Sequence, residues 1–309
     1  MRTRLLSIGL LGIVTFPLPA QTNPRAEHAE HPGASFTTML GARHMSTMVD
    51  TLVELRPGDR VVLENLTGQI SVGSWDRNEL EIRGADDGVP IMVRRSGSTV
   101  RVVRDDRKGR RHALDARIRM PASHDLRVSG SLDLWIEGLS GSIDVDNVSG
   151  DIWIADADGQ VSVRTIEGEI DVVRSRGGVT ASSQSDDVRL RDVRGPVDAH
   201  SGSGDVQLME IVSARVRAET QDGDITFSGT IDDGGDYGFF VHDGDAEVAI
   251  PADANARVEV STFDGEFISD FPVVLQRFTG GREFAFTVGA PRARITIQVF
   301  DGEIHLQRR

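Results

Sequence analysis

The sequence predicts an all-β fold, a parallel β-solenoid, and three observations support that prediction. A unit of glycine, polar, apolar, polar and apolar residues recurs along residues 130–309. Its apolar positions, often β-branched, alternate strictly with polar ones, which is typical of short strands with one buried face. No copy leaves room for a helix between strands. Because the period is near nine residues and the alternation is two, helical repeats are excluded.

The repeat is most regular where glycines 141, 150, 159 and 168 lie nine residues apart. The clearest copies read Gly141-Ser-Ile-Asp-Val145, Gly150-Asp-Ile-Trp-Ile154, Gly159-Gln-Val-Ser-Val163, Gly168-Glu-Ile-Asp-Val172, Gly204-Asp-Val-Gln-Leu208 and Gly223-Asp-Ile-Thr-Phe227. Glycine at the start of a copy takes the positive φ angles of a bend. Each copy is therefore expected to be one strand preceded by one turn.

Two arrangements of these strands satisfy the spacing. Parallel neighbours in one sheet need a crossover of a dozen or more residues, so successive nine-residue units cannot be such neighbours. Either the chain winds as a solenoid in which every second or third unit stacks in parallel, or it runs as an antiparallel meander with hairpins at Asp-Gly and Glu-Gly. The return of the same side-chain class at the same place favours the solenoid.

The segment before the repeats is also rich in strand patterns but less regular. It contains one further copy of the unit, Gly68-Gln-Ile-Ser-Val72. Solenoids need atypical ends that protect their exposed strand edges. Residues 48–129 are therefore predicted to form an N-terminal β cap or the first coils, and residues 48–309 one continuous domain.

The first twenty residues, 1–20, have the pattern of a signal peptide. Arg2 and Arg4 precede the apolar stretch Leu5–Phe16, and Ala20 ends a short exit segment. The stretch is shorter than the ~20 residues that span a bilayer. Residues 21–47 mix proline, glycine and charge without periodicity and are expected to be a flexible linker. The sequence thus predicts an exported protein, periplasmic or secreted to the cell surface, with no transmembrane segment after signal removal.

Composition excludes several functional classes. The 309 residues contain no cysteine, which rules out disulfide scaffolds, thiolate metal sites and cysteine nucleophiles. Residues 130–309 hold 33 acidic and 15 basic side chains, a surface that repels nucleic acid. No metalloprotease, serine hydrolase or phosphate-loop motif is present. We therefore expect no nucleic-acid partner, no catalytic residues and no cofactor other than Ca²⁺.

Acidic residues on both sides of a turn glycine are the candidates for metal binding. The candidate Ca²⁺ ligands are Asp222, Asp224, Asp243, Asp245, Asp264 and Glu266, and Asp301-Gly-Glu303 and Glu167-Gly-Glu169 have the same pattern. Stacked at one corner of a solenoid, these carboxylates would provide hard oxygen ligands. The nonapeptide calcium repeat has a second glycine that these units lack, so ordinary turn chemistry stays the alternative.

Three further groups of residues bear on binding or catalysis. A basic cluster, with Arg104, Arg107, Lys108, Arg110 and Arg111, is either a binding patch for an anionic ligand or an exposed hairpin tip. Outward acids Asp144, Asp171 and Asp198 would line one face in a polysaccharide-cleaving β-helix. Phenylalanines concentrate near the C-terminus, among them Phe239, Phe263, Phe267 and Phe286, and are expected to pack inside wider terminal coils.

These stretches resemble the bacterial "putative adhesin" domains and the head domains of auto-transporter adhesins. The resemblance rests on Val61–Val72, the serial Gly-Asp-Ile copies, Asp243–Pro251 and Ile295–Leu306, and covers roughly residues 50–307. It implies an exported, glycine- and aspartate-rich β-solenoid with an adhesion or scaffolding role at the cell envelope, and it carries over no site residues.

Three functional hypotheses follow. The first is a non-enzymatic, adhesin-like binding or scaffold module whose partner is an envelope or surface glycan or protein. The second is a calcium-stabilised repeat protein. The third is a polysaccharide-cleaving β-helix enzyme.

Overall fold

The computed structural model describes residues 47–86, 91–104, 113–273, 277–279 and 283–309. These ranges contain strands and turns and no helix. Residues 45–309 form one compact unit. The predicted signal peptide, and the predicted linker up to residue 46, lie outside the described residues.

The N-terminal part is built around one long central strand. Its strands are β1 (Thr47–Glu54), β2 (Arg60–Trp75), β3 (Glu79–Asp86), β4 (Ile91–Ser96), β5 (Thr99–Arg104), β6 (Leu114–Pro121) and β7 (Asp125–Glu137). β2 runs parallel to β7 on one side and to β5 and β6 on the other. Three antiparallel pairs complete the region, β1 with β3, β3 with β6 and β4 with β5. Parallel coils and an antiparallel cap therefore share this segment.

Twelve shorter strands then alternate between two parallel sheets. They are β8 (Ile143–Asn147), β9 (Ile152–Ala157), β10 (Val161–Thr165), β11 (Ile170–Ser175), β12 (Val179–Ser183), β13 (Val188–Val193), β14 (Val197–Ser201), β15 (Val206–Ile211), β16 (Arg215–Asp222), β17 (Ile225–Gly229), β18 (Asp236–Asp243) and β19 (Ala246–Ile250). Even-numbered strands pair in parallel with the next even-numbered strand and form the first sheet. Odd-numbered strands pair in the same way and form the second sheet.

One turn of the solenoid therefore contains two strands. Val161 of β10 lies beside Val179 of β12, eighteen residues later, rather than beside the unit nine residues away. The predicted solenoid is confirmed, with every second unit stacked in parallel. The meander alternative is wrong for this region, because its neighbouring strands are parallel.

The C-terminal part does not continue in chain order. Its strands are β20 (Ala256–Asp264), β21 (Phe267–Ser269), β22 (Arg277–Thr279), β23 (Glu283–Val288), β24 (Ala293–Asp301) and β25 (Ile304–Arg308). β24 lies between β18 and β20, and β25 lies between β19 and β21, all in parallel. β23 pairs antiparallel with β20, and β22 with β23. The coil that comes last in the sequence, β24 and β25, thus lies between two earlier ones. The antiparallel strands β23 and β22 cover the edge of β20, in the outermost coil.

The core lies between the two sheets. Inward positions of successive coils carry like residues, as at Val161, Val179, Val197 and Val216, all at most 2% exposed. On β10, β12 and β14 these buried positions alternate with half-buried or exposed polar positions, as the sequence pattern requires. The apolar ladder therefore runs without interruption from coil to coil and is the main source of stability.

Toward the C-terminus the core contains buried aromatic side chains. Phe227 and Phe239 pack with ring centroids 4.9 Å apart, and Tyr237 is fully buried beside them. The Tyr237 hydroxyl donates to the Ser213 carbonyl oxygen at 2.6 Å and accepts from the Asp232 amide at 2.7 Å. Burial raises the pKa of this phenol, which keeps it a hydrogen-bond donor.

Candidate functional site

One corner of the solenoid carries the turn glycines of successive coils. Gly150, Gly168, Gly223, Gly244 and Gly302 all have positive φ angles, between 101° and 148°. A Cβ on Gly168 would overlap the carbonyl oxygen of Gly150 in the coil before it. Glycine is required here both by the left-handed conformation and by the close backbone approach between coils.

The acidic residues directly after these glycines, and those at the equivalent positions of other coils, form a hydrogen-bonded column that we call the aspartate ladder. In each rung, a carboxylate oxygen, Oδ1, accepts from the backbone N–H of the equivalent residue one coil on. The bonded pairs are Asp133 with Asp151 (3.3 Å), Asp151 with Glu169 (3.0 Å), Asp187 with Asp205 (2.9 Å), Asp205 with Asp224 (2.9 Å), Asp224 with Asp245 (2.8 Å) and Asp245 with Glu303 (2.7 Å). The acid beside the glycine therefore satisfies a turn amide of the next coil.

The ladder changes at the one internal position where glutamate replaces aspartate. The Glu169 carboxylate bonds to the Arg189 guanidinium instead of to the next turn amide. Arg189 also donates to the Asp187 carboxylate at 2.6 Å. Arg189 thus bridges the carboxylates of Glu169 and Asp187, with one guanidinium nitrogen on each. It joins the two rungs that are not linked by a carboxylate–amide hydrogen bond.

Beside the ladder, turns of five successive coils are closed from within by a buried polar residue at or near the end of a first-sheet strand. These residues are Asn147, Thr165, Ser183, Ser201 and Thr220. The Asn147 amide donates to the carbonyl oxygens of Leu132, Ser149 and Gly150, and its Oδ1 accepts from the Leu132 amide at 3.0 Å. This column was not predicted from the sequence, although its period of about eighteen residues is visible there.

Crowding of carboxylates affects protonation at one rung of the ladder. Burial and the neighbouring charges of Asp133 and Asp186 raise the pKa of the Asp151 carboxyl. The charged form of Asp151 therefore costs free energy in the folded protein.

The structure brings the calcium candidates together in two neighbouring columns. Asp224 and Asp245 are rungs of the aspartate ladder. Asp222, Asp243 and Asp264 form a second, exposed column in which Asp301 lies between Asp243 and Asp264. Glu266 lies on the outermost coil, and its carbonyl oxygen accepts from the Ile304 amide. Among the residues that the structure describes, no three acidic or histidine side chains converge as a metal site would require.

The structure describes only one of the five residues of the basic cluster. Arg104, at the end of β5, is 7% exposed and therefore not available as part of a surface patch. Arg107, Lys108, Arg110 and Arg111 lie outside the described residues.

The outward acids proposed for a polysaccharide-cleaving enzyme do not share a face. Asp144 and Asp198 lie on the first sheet, on β8 and β14, whereas Asp171 lies on β11 of the second sheet. The expectation of one aligned face was wrong, because strands nine residues apart belong to opposite sheets.

The terminal phenylalanines divide between the core and the outer surface. Phe239 and Phe286 are fully buried and Phe267 packs partly buried against the core, as expected. Phe263 is 56% exposed, so that expectation was wrong for this residue. Its ring stacks on Phe300 with centroids 4.8 Å apart, and Phe300 stacks on His242 at the same distance. The insertion of β24 between β18 and β20 creates this stack, which the sequence order does not reveal.

No helix in the described part of the chain is long and apolar enough to cross a membrane. No curated protein is significantly similar to this chain in sequence.

Several solved structures are similar to this chain at low sequence identity. A putative adhesin from Bacteroides fragilis is 12% identical with a TM-score of 0.35, and the match covers 86% of this chain and all of that one. A putative cell adhesion protein from Clostridium sporogenes is 10% identical with a TM-score of 0.27, covering 85% of this chain and all of that one. A putative lipid binding protein from Parabacteroides distasonis is 12% identical with a TM-score of 0.28, covering 84% and 96%.

A protein-family model matches the repeats themselves. The match runs over residues 140–307, from the turn before β8 into β25, and so covers more than half of the chain. The family expected from the repeat is confirmed, and the chain belongs to the Toastrack DUF4097 family.

Proposed function

We propose that this protein is an exported, non-enzymatic, adhesin-like binding or scaffold module of the cell envelope. Its partner is a glycan or a protein of the envelope or cell surface. The export signal in residues 1–20, with Arg2 and Arg4 before an apolar stretch, supports the location.

The observation that supports binding is the in-register outer surface of the two sheets. On β10, β12, β14 and β16 the outward residues Ser162, Thr180, Asp198 and Arg217 lie side by side on consecutive strands. Neighbouring strands are spaced by about 4.8 Å, so donors and acceptors recur regularly along the solenoid. Such a surface suits an extended polymer, which can contact several coils at once.

Retention of the purified chain by cell-envelope fractions tests this proposal. We expect saturable binding to one fraction, and loss of binding after that fraction is treated with either glycosidases or proteases, which identifies the partner class. A heat-unfolded sample of the same chain is the control. Absence of retention by every fraction would overturn the binding role, and release of new reducing ends from a polysaccharide would favour the enzyme instead.

A calcium-stabilised protein is the second candidate, favoured by one observation. Asp222, Asp243, Asp301 and Asp264 occupy consecutive strands of the first sheet, so an ion between two strands would meet carboxylates from both. Thermal melting with and without Ca²⁺ distinguishes this candidate from the first.

A further inference from the structure

Two of the three tryptophans lie side by side on the outer face of the second sheet. Trp135 of β7 and Trp153 of β9 are register partners. The residues before and after each of them, Leu134, Ile136, Ile152 and Ile154, are buried in the core. Alternation along the strands therefore directs both indoles outward, and Trp135 is 39% exposed.

The fold does not require tryptophan at this position of the repeat. The equivalent outward positions on later coils are Asp171, Arg189, Gln207, Thr226, Glu247 and His305. Ser71 of β2 is the other register partner of Trp135, and Ile268 follows His305 at the far end of the column, so no other coil has an aromatic residue of this kind except His305. An exposed pair of large aromatic side chains, with no counterpart along the column, indicates a contact with another molecule.

The third tryptophan shows what a structural role looks like in this protein. The Trp75 Nε1 donates to the Glu79 carbonyl oxygen at 2.8 Å, and the Arg77 guanidinium lies 5.1 Å from its ring centroid. Within the described ranges, Trp135 and Trp153 have neither a hydrogen bond of the indole N–H nor a ring or guanidinium contact of this kind. Their outer surfaces are left for a ligand.

Carboxylates lie close to the pair on β7, β9 and β11, whereas Ser71 is the neighbour of Trp135 on β2. Asp133 and Glu137 flank Trp135 along β7, Asp151 precedes Trp153 by two residues on β9, and Asp171 of β11 is the register partner of Trp153. A cationic ligand is attracted by these charges and an anionic one is repelled. Indole is also the aromatic ring that attracts cations most strongly.

We propose that Trp135 and Trp153 form a binding subsite for an amino-sugar polymer, a glycan that carries ammonium groups. This inference rests on the proposed function and names the ligand class for one surface. The apolar faces of the sugar rings pack on the indoles, and the ammonium and hydroxyl groups contact the nearby carboxylates. The strand spacing of about 4.8 Å is comparable with the length of one pyranose unit, so a chain along the solenoid places successive sugars over successive strands.

Calorimetric titration of the full chain with glucosamine oligomers at physiological ionic strength tests the subsite. We expect saturable binding, weaker binding of the fully N-acetylated oligomers, and none of oligogalacturonate. Trp135→Ala and Trp153→Ala should each weaken binding about tenfold, the size expected for loss of one aromatic contact to a cationic sugar. Because both residues face outward, the variants should keep the circular dichroism spectrum and melting midpoint of the parent.

Two control variants and one control ligand make the result interpretable. Trp75→Phe replaces a partly exposed indole elsewhere by a smaller ring, Phe263→Ala removes an exposed ring, and both should leave binding unchanged. Binding that persists in a folded Trp135→Ala/Trp153→Ala double variant would overturn the proposal, as would absence of glucosamine binding. Equal or tighter binding of an oligolysine peptide would also overturn it, in favour of a basic protein partner.

The same double variant separates this inference from the general proposal. If it still binds the envelope fraction but the parent does not bind glucosamine oligomers, the subsite is wrong and the binding module stands. If neither the parent nor the variant binds any envelope fraction while glucosamine oligomers still bind through the tryptophans, the envelope role is wrong and the subsite stands.

Discussion

The Oδ1 atom of Asp224 accepts a hydrogen bond from the backbone N–H of Asp245, 2.8 Å away in the next coil. Both residues are calcium candidates by sequence, yet the structure uses one oxygen of Asp224 to hold a turn. The aspartate ladder thus links coils at the corner where the glycines bend the chain. The carboxylates of this ladder mainly accept hydrogen bonds from backbone N–H groups. The expected effects of mutations and of added cations at this corner follow from those bonds.

Removal of one rung should lower stability through the lost hydrogen bond. Asp205 accepts from the Asp224 amide and donates its own N–H to Asp187, both at 2.9 Å. We expect Asp205→Ala to destabilise by about 1–2 kcal/mol and Asp205→Asn by much less, because asparagine keeps the acceptor oxygen. Urea denaturation midpoints measure the difference. Equal loss in both variants would show that charge rather than the acceptor matters.

Removal of the Asn147 amide should cost more than loss of one ladder rung. Asn147 is buried and bonds to the backbone at Leu132, Ser149 and Gly150. Asn147→Ala leaves several buried backbone groups unpaired, so we expect a loss of about 2–3 kcal/mol in denaturant experiments. Asn147→Asp, which places a buried carboxylate against the same three carbonyl oxygens, should be at least as destabilising as Asn147→Ala at neutral pH. A loss below that of Asp205→Ala would contradict this account.

Alanine at a corner glycine should be far more disruptive than alanine at a strand glycine. Gly168 has a φ of 128°, and a Cβ there would overlap the Gly150 carbonyl oxygen. Gly73 on β2 has open space around the same position. We expect Gly168→Ala to cost about 2 kcal/mol or more and Gly73→Ala to be near neutral. Thermal melting of both variants tests this, and similar midpoints would refute the close approach of the coils.

Neutralising Asp151 should stabilise the protein at neutral pH. The raised pKa of Asp151 means that the folded state binds its proton more tightly than the unfolded chain. Stability from this group is complete below the unfolded pKa of about 4 and is lost as pH rises through the raised folded value. Asp151→Asn keeps an acceptor for the Glu169 amide and should have a higher urea midpoint at pH 7.

The advantage of Asp151→Asn should shrink as the pH is lowered toward 3. Denaturation at a series of pH values measures it. Asp198→Asn, on the outer face of β14, controls for the general loss of one negative charge. A variant less stable than the parent at pH 7 would show that the carboxylate charge is stabilising at this rung.

Millimolar Ca²⁺ should leave the melting midpoint unchanged. One oxygen each of Asp224 and Asp245 is engaged by the backbone, and the described side chains do not converge on a metal site. Differential scanning calorimetry with Ca²⁺ and with EDTA checks this. A clear rise with Ca²⁺ that Asp243→Asn and Asp301→Asn abolish would establish the calcium candidate instead.

The short-range pattern of the sequence predicted the strands, the turn glycines and the parallel stacking. Strict alternation at Val161, Val179 and Val197 fixes which side is buried, because a strand's side chains alternate between faces. The glycine positions mark the bends because only glycine tolerates them. The number of strands per coil was also indicated, since a buried polar residue ends every strand of the first sheet from β8 to β14, as at Asn147, Thr165 and Ser183, whereas among the second-sheet strands β9, β11 and β13 only β11 ends in one. That eighteen-residue period is harder to recognise in the sequence than the nine-residue repeat.

The sequence by itself thus determined the strand pattern, the buried face and the bends, all of which depend on neighbours along the chain. Only the tertiary structure decided that Asp171 lies on the opposite sheet from Asp144, that β24 enters between β18 and β20, and that Phe300 therefore stacks between His242 and Phe263. Those relationships depend on which strand edges meet. Strands with similar alternation compete for the same edge, and packing of the whole coil selects among them.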